Sequence, residues 1–511
     1  MANIDINKIT SFFYKRYKIY NLYFNIKHDI YSSQMWYTTI GLEVHAQMST
    51  KTKMFSEAPA NVFGRDSNTC VDLFDLGLPG TLPVLNRECV IKGVQAGIAL
   101  NMKIHNTSRF DRKHYFYPDL PSNYQITQYF HPIATNGSLT VFCDDTKKKI
   151  RINRLHLESD AGKSMHSRNH SLIDFNRAGV PLMEIVTEPD MHDVEEAIMF
   201  FKTLQATLRA IGVSEANMEK GHMRADVNIS ISDDPNVLGT RVEIKNLNST
   251  SFMRKAVDYE IKRQIEVLST GKAVEQETRL YDQSNNMTMR MRGKEDAIDY
   301  CYMPDPDLLP IFVENSLIIN YTKNLKNLPT QLCEKWIETL KLSAKDVWCI
   351  ASDVQLSCFF IEASSGVDVN IQRKIARWIL GAVLELLKNQ ENGQIPIQPH
   401  SLRKLVQMIE NQTISGKIAK EIFPIMWNSL EEPDVIAEKH GFVQITDKNE
   451  IEKVVEAVLS KHSDQVEEFR NGKQKVKAFL VGVIMKHTQG KANPALVSQI
   501  LDDKLSPDEN N

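Results

Sequence analysis

The sequence predicts an α+β protein whose second half is all helix. Three observations carry that reading. Between residues 36 and about 325, short stretches alternate apolar and polar side chains with the period-two spacing of half-buried strands. A few amphipathic helices are interspersed among them without a regular βαβ rhythm, which disfavours a doubly wound sheet. From residue 326 onward the strand pattern fades and apolar residues recur at helical spacing.

The first strand is "TTIGLEVHAQM" (38–48). Ile40, Leu42, Val44 and Ala46 share one face, and Gly41, Glu43, His45 and Gln47 share the other. In "RINRLHLESDAG" (151–162), Leu155 and Leu157 oppose Arg154, His156 and Glu158. "VPLMEIVTEPD" (180–190) adds Glu184 and Glu188. A helix follows in "DVEEAIMFFKTLQATLRAIG" (193–212). Asp193 can cap it, Val194, Ile198, Phe201, Leu204, Leu208 and Ile211 line one face, and Gly212 sits where a left-handed stop belongs. Two more strands come next. In "MRADVNISIS" (223–232), Val227, Ile229 and Ile231 alternate with Asp226, Asn228 and Ser230. In "TRVEIKNLNS" (240–249), Val242 and Ile244 alternate with Arg241, Glu243 and Lys245. A second helix is expected near 253–270, with Val257, Ile261, Ile265 and Leu268 inward and Gly271 closing it. The helical half is carried by "RKIARWILGAVLELLKN", "SLRKLVQMIENQ", "EIEKVVEAVLSKH" and "QKVKAFLVGVIMKH". Pro433-Asp434 and "KHGFVQITDKN" read as a connection between two helical modules.

Composition bounds the function. At 511 residues the chain is too long for a single core. It is 42% hydrophobic and 24% charged, an ordinary globular balance. A formal net charge of −3 means that any nucleic-acid contact must use a local patch. No apolar run is long enough to span a bilayer. The seven cysteines are scattered singly with no CxxC, which fits a reducing compartment and argues against disulfides or a structural zinc site. Residues 1–35 hold five Lys or Arg against Asp5 and Asp29, with many aromatics. That composition fits either an organelle presequence or a disordered extension.

The strands share one design: an apolar face for the core and a face rich in Glu, Asp, His and Asn. If they pair in one antiparallel sheet, those polar faces converge. Converging carboxylates repel unless cations neutralise them. Oxygen-rich ligand sets with an occasional imidazole suit Mg²⁺ or Mn²⁺, and Mg²⁺ usually bridges to substrate phosphates. The competing reading is a solvent-facing sheet of mixed charge. "AGKSMH" is no P-loop, because Leu157 stands where its first glycine would be. Asp72 and Asp75 have metal-ligand spacing but read as solvated loop carboxylates. "RKHYFYPDLPSNYQITQY" (112–129) reads either as a rigid aromatic loop able to stack on a base or grip a phosphate, or as a packed Pro-rich turn.

Motifs along the chain resemble one family closely. "IGLEVHAQMSTKTKMFS", "LGLPGTLPVLN", "HLESDAGKS", "DFNRAGVPLMEIV", "ADVNIS", "EIKNLNS", "MRMRGKE" and "MPDPDLLP" occur in order, followed by "ARWILGAVLELL", "SGKIAKEIF" and "GKANP". They are similar to the GatB family, the B subunit of the tRNA-dependent amidotransferase GatCAB, which makes Gln-tRNA(Gln) from Glu-tRNA(Gln). The resemblance runs from about Trp36 to the C-terminus.

It implies an antiparallel-sheet cradle catalytic domain (36–325), a helical domain (326–440) and a YqeY-like helical tail that binds tRNA (441–511), behind the extension 1–35. It implies ATP as co-substrate and Mg²⁺ (or Mn²⁺) as cofactor, with Glu43, His45, Glu158 and Asp226 as catalytic metal ligands. Lys113 and Tyr115 are expected near the ATP or the aminoacyl end, and Lys473, Lys475, Lys477 and Lys491 on tRNA. The amidase subunit and the small third subunit of GatCAB are the implied protein partners, together with misacylated Glu-tRNA(Gln). The extension points to a mitochondrial location. The alternatives are a non-catalytic tRNA-binding scaffold and a free-standing ammonia ligase of the glutamine-synthetase type. The sequence also departs from the family. Ser159 replaces a second Glu, leaving Glu158 or Asp160 to supply the carboxylate. Cys301 replaces an Arg, and Asp72 and Asp75 stand where many relatives carry a CxxC, so no zinc is expected.

Overall fold

In the computed structural model the residues described are 35–143, 146–293, 300–390, 392–442, 448–470, 475–488, 492 and 494–505. Residues 1–34 of the extension, and Lys473 and Lys491 of the tail, lie outside them. The chain divides into two compact units, the first ending at Lys326 and the second beginning at Asn327.

The strands of the first unit are β1 (Tyr37–Gln47), β2 (Lys103–Ile104), β3 (Thr107–Ser108), β4 (Asp111–His114), β5 (Tyr124–Thr127), β6 (Ala134–Cys143), β7 (Thr146–Ser159) and β8 (Lys163–His166). They continue as β9 (Ser171–Asp174), β10 (Pro181–Thr187), β11 (Met223–Ser232), β12 (Val242–Leu247), β13 (Glu277–Asp282), β14 (Met287–Gly293), β15 (Cys301–Pro304) and β16 (Ile311–Phe312). Nine of them form one sheet in the order β14–β13–β12–β11–β1–β10–β7–β6–β2. Every neighbouring pair is antiparallel except β12–β13. All the strands singled out by their alternation lie side by side in this sheet, from β12 across to β7.

One face of the sheet is apolar, and three helices cover it. Ile40, Leu42, Val44, Leu155, Leu157, Val227 and Ile229 form one buried core with Val94 of Arg87–Ala99, Phe200, Phe201 and Leu204 of Val194–Ala210, and Met253 and Val257 of Thr250–Ser269. Helix Val194–Ala210 starts where Asp193 accepts the Glu196 N–H at 2.8 Å, a cap worth about 1 kcal/mol. It stops at Gly212, which takes φ +66° after the last turn. Among the described residues these helices lie on one side of the sheet, and the polar side chains of β12, β11, β1, β10 and β7 share the opposite face.

Helix Thr250–Ser269 departs from its expected pattern. It begins earlier, capped by Ser249, and buries Glu260 and Gln264 while Ile265 is only half buried. Glu260 is tolerated inside because Arg263 donates to it at 3.0 Å, Thr288 at 2.9 Å, and Arg279 lies 3.4 Å away. Asp75 is likewise not a solvated carboxylate. It is buried and accepts from the Lys53 ammonium at 2.9 Å and the Ser56 hydroxyl at 3.0 Å. The segment 112–129 is neither a free loop nor a simple turn. Its ends are β4 and β5, paired antiparallel, and β15 joins them as a third strand.

The second unit is helical among its described residues. Its helices run from Pro329–Leu340 to Pro433–Lys439 and bury Leu332, Trp336, Phe360, Ile375, Leu402, Leu405, Ile422 and Phe423. Pro433 opens the last of these helices instead of lying in a linker, as its missing N–H allows at a first turn. One segment, Ile379–Val383, is π-helical. Four helices between Lys448 and Leu505 form a core of their own around Ile451, Val455, Leu480, Ile484, Val497 and Leu501. The buried face of Lys475–His487 runs through Leu480 and Ile484, whereas Phe479 is half exposed. Among the described residues no helix is long and apolar enough to cross a membrane.

Candidate metal centre and active site

The site is built by register. His45 on β1 stands directly across from Glu184 on β10, and Glu184 directly across from His156 on β7. Arg224 on β11 flanks His45 on the other side. Because these positions alternate with core residues, all four side chains emerge on the uncovered face. Glu158 lies two residues beyond His156 on that same face.

The resulting cluster is tight. The Nε2 of His45 lies 3.5 Å from a Glu158 oxygen and 3.4 Å from a Glu184 oxygen. The Nε2 of His156 lies 3.2 Å from Glu184 and 3.7 Å from Glu158. Donors at right angles around an ion with bonds of 2.0–2.6 Å stand about 3–3.7 Å apart, so these spacings fit a shared divalent cation. One atom each from His45, Glu158 and Glu184 lies within 4.8 Å of the others, the one such group among the described residues. Both carboxylates are largely buried, and the Nδ1 atoms of His45 and His156 are buried without hydrogen-bond partners. Two carboxylates with an imidazole form a hard, oxygen-dominated set that suits Mg²⁺ or Mn²⁺.

Electrostatics report the same crowding. Burial would depress the imidazoles, but Glu184 and Glu158 outweigh it, raising His45 and pushing His156 up to about 9. Glu184 is held well below the usual carboxylate range by the two imidazoles, against the effect of burial. Burial raises the Glu43 carboxyl, and repulsion from Glu184 and Glu243 raises it further.

The expected ligands separate into two groups. His45 and Glu158 enter the cluster. Glu43 and Asp226 face each other across β1 and β11 on the same surface but are held by other partners. Glu43 accepts from the Asn228 amide at 3.1 Å, and Asp226 accepts from the Lys245 ammonium at 2.6 Å. The departures at 159 and 160 are also placed. The Ser159 hydroxyl meets the Ile126 backbone, and Asp160 is buried between Arg177 at 2.7 Å and Arg224 at 3.2 Å. Burial works against the Asp160 anion, yet the two guanidinium groups keep its pKa low, so it is a structural anchor. Glu158 is the carboxylate of that segment that reaches the cluster.

An aromatic wall stands beside the cluster. Tyr129 and Tyr302 stack with centroids 3.9 Å apart, and Tyr115 meets Tyr300 edge-on at 5.7 Å. Lys113 lies 4.6 Å above the Tyr300 ring. Burial raises the Tyr115 phenol, and the charges of Asp119, Glu158 and Asp160 add to it. Arg154, two residues from His156, lies 5.8 Å over Tyr129 and has a buried Nε without a hydrogen-bond partner. Lys245, Arg224 and Arg177 all have carboxylate partners, whereas Arg154 and Lys113 have none among the described residues.

Two residues were missed by sequence reasoning. Glu184 was visible as a polar position on an apolar strand, but its membership depends on the β1–β10 register. Arg154 was visible as polar, but its lack of a partner was not. In the tail, Lys477 is bound to Asp502 at 2.6 Å. The helix carrying Lys475 begins at that residue.

Comparison with known proteins agrees with this architecture. Residues 38–319 match the family described as the GatB/GatE catalytic domain, and residues 359–505 match the one described as the GatB domain. A protein of Rickettsia rickettsii, named as the B subunit of an aspartyl/glutamyl-tRNA(Asn/Gln) amidotransferase, is 45% identical over 476 residues, 92% of this chain and 98% of that protein. The protein of the same name from Persephonella marina is 45% identical over 470 residues, 91% of this chain and 98% of its own length. The family matches span both the sheet that carries the cluster and the helical region after it, and the chain belongs to the GatB family.

Proposed function

We propose that this chain is the transamidating subunit of a tRNA-dependent amidotransferase, converting Glu-tRNA(Gln) to Gln-tRNA(Gln) with ATP. The observation that supports it best is the buried His45–Glu158–Glu184 cluster, together with the cations Arg154 and Lys113, which have no carboxylate partner among the described residues. A side-chain carboxylate is a poor electrophile because its leaving group would be oxide. In the first step a γ-carboxylate oxygen attacks the γ-phosphorus of ATP. The bond to the bridging oxygen breaks, ADP leaves, and a γ-glutamyl phosphate forms. Ammonia then attacks the carbonyl carbon, the C–O bond breaks with release of inorganic phosphate, and the nitrogen loses a proton.

Phosphoryl transfer of this kind needs positioning and charge neutralisation more than covalent help. His45, Glu158 and Glu184 would hold a divalent ion, with Glu43 adding charge from the neighbouring position. When bound, Mg²⁺ supplies charge neutralisation at the phosphate oxygens. Arg154 and Lys113 are disposed to meet the remaining phosphate charge, and the tyrosine wall offers a flat surface to a base or the aminoacyl end. His156 holds Glu184 in place from the adjacent strand.

A partner amidase would supply the ammonia from glutamine, and a small third protein would complete the assembly. The tail is proposed to contact the tRNA body through phosphates, an interaction that weakens with salt. The test is to co-purify the chain with both protein partners and assay glutamine-dependent conversion of Glu-tRNA(Gln), omitting ATP and Mg²⁺ in turn. Conversion that requires both supports the reading. Binding of tRNA without any conversion would leave a scaffold instead.

A further inference from the structure

The helical unit contains a cavity of about 660 Å³ that none of the chemistry above uses. It is walled by Trp378, Leu386, Val406 and Phe423, and Arg377 and Lys420 stand at its edge. Its volume lies in the range of pockets that enclose a nucleotide-sized ligand. Trp378, half-buried, borders the cavity and packs against the buried Phe423 ring with centroids 5.3 Å apart.

Two features set this cavity apart from a packing gap. Part of its lining is the π-helical segment Ile379–Val383, a distortion that is common at functional sites. At the centre of that segment is Gly381. A Cβ built on Gly381 meets no heavy atom within 4 Å, and its φ is not in the left-handed region. Neither conformation nor close packing therefore requires glycine there. Glycine inside a helix costs about 1 kcal/mol relative to alanine, and no neighbouring contact offsets that cost. What the missing side chain does is leave the cavity open.

The edge is cationic although the chain is slightly acidic as a whole. Lys374 is paired with Glu410, but Arg377 and Lys420 have no carboxylate partner among the described residues. Glu385 is the acidic residue on the lining. An apolar, partly aromatic recess with two unpartnered cations beside it suits a flat apolar group attached directly to an anion. A nucleotide in a single strand has that form, with a base to place against aromatic rings and a phosphate on each side.

We propose that this cavity receives an unpaired nucleotide of the tRNA, its base against Trp378 and its flanking phosphates on Arg377 and Lys420. This rests on the reading of the chain as acting on an aminoacyl-tRNA. The test uses the complex assembled with its protein partners and measures equilibrium affinity for the tRNA(Gln) transcript over a range of salt. Gly381→Leu fills the recess from an ordinary helical position and improves helix propensity, so its thermal midpoint should equal or exceed that of the parent. Its tRNA affinity should fall roughly 5- to 100-fold, the loss of one base-stacking contact, with an unchanged salt slope. Arg377→Gln combined with Lys420→Gln should weaken binding and also make the salt slope shallower by about 1.4, the value for two single-strand phosphate contacts.

If Gly381→Leu binds tRNA as tightly as a parent complex that itself binds well, the pocket assignment is wrong and the wider functional reading stands. A Gly381→Leu complex that loses a protein partner while keeping its tRNA affinity would also overturn it, because the recess would then receive a protein side chain. A parent complex that does not bind tRNA at all would remove the reading on which the proposal rests, and the proposal with it.

Discussion

Glu184 on β10 lies directly across from His45 on β1, with its carboxylate 3.4 Å from the imidazole Nε2. The same carboxylate lies 3.2 Å from His156 on the opposite neighbouring strand. One acid between two imidazoles, with Glu158 closing the group, is costly to bury unless a cation or protons share the charge. Glu184→Gln should therefore cut ATP turnover in the assembled complex by about 100-fold or more, as expected when a preorganised charge is lost at a phosphoryl-transfer site. The fold should survive, because the side chain is isosteric. Turnover within a factor of two of the parent would exclude Glu184 from the site.

The site should bind protons when no metal is present. His45 is raised and His156 reaches about 9 in the folded chain, whereas an unfolded imidazole titrates near 6.5. A group raised on folding contributes stability that is complete below its unfolded pKa and is lost as pH rises through the folded value. The thermal midpoint of the metal-free protein should thus fall between about pH 6.5 and 9. Divalent ions compete with those protons, so Mn²⁺ affinity should rise across the same interval. A midpoint and an affinity that are both flat over this range would contradict the proton-linked cluster.

Arg154 has a buried Nε without a partner beside the tyrosine stack, an expensive arrangement unless a substrate anion completes it. Arg154→Ala should raise the KM for ATP about tenfold or more, and free guanidinium in the assay should restore part of the loss. Arg154→Lys should fall between the two. Unchanged ATP kinetics in the alanine variant would assign Arg154 to structure alone.

The buried Lys53–Asp75 pair tests the framework that supports β1. Both side chains are fully enclosed, so Asp75→Ala leaves an uncompensated ammonium in the interior. That should cost about 3–5 kcal/mol, read as a large drop in the thermal midpoint. The double replacement Lys53→Met with Asp75→Leu should recover much of it. A single variant as stable as the parent would show that water already reaches the pair.

Five strands of the large sheet, β1, β7, β10, β11 and β12, were legible because they are long enough for period-two alternation to register, whereas β2, β6, β13 and β14 were not read. Helix Val194–Ala210 was legible because its cap, apolar face and glycine stop agree. The hairpin β4–β5 was not, since each strand is only four residues long and Pro118 and Pro121 dominate the segment between them. Asp75 was read as a solvated loop carboxylate because charge predicts exposure, and nothing local reveals that Lys53 waits inside. At the site, alternation identified the polar face, but which carboxylates converge depends on register. That is why Glu184 stands in the cluster and Asp226, held by Lys245, does not.

The most direct test is Mn²⁺ binding to the purified complex, followed by electron paramagnetic resonance or calorimetry in the absence of ATP. The parent should bind one ion per chain, and His45→Ala and Glu184→Gln should each lose that site, while Asp226→Asn should retain most of it. Equal Mn²⁺ binding by the parent and both cluster variants, or its loss only in Asp226→Asn, would contradict a metal centre built on His45, Glu158 and Glu184.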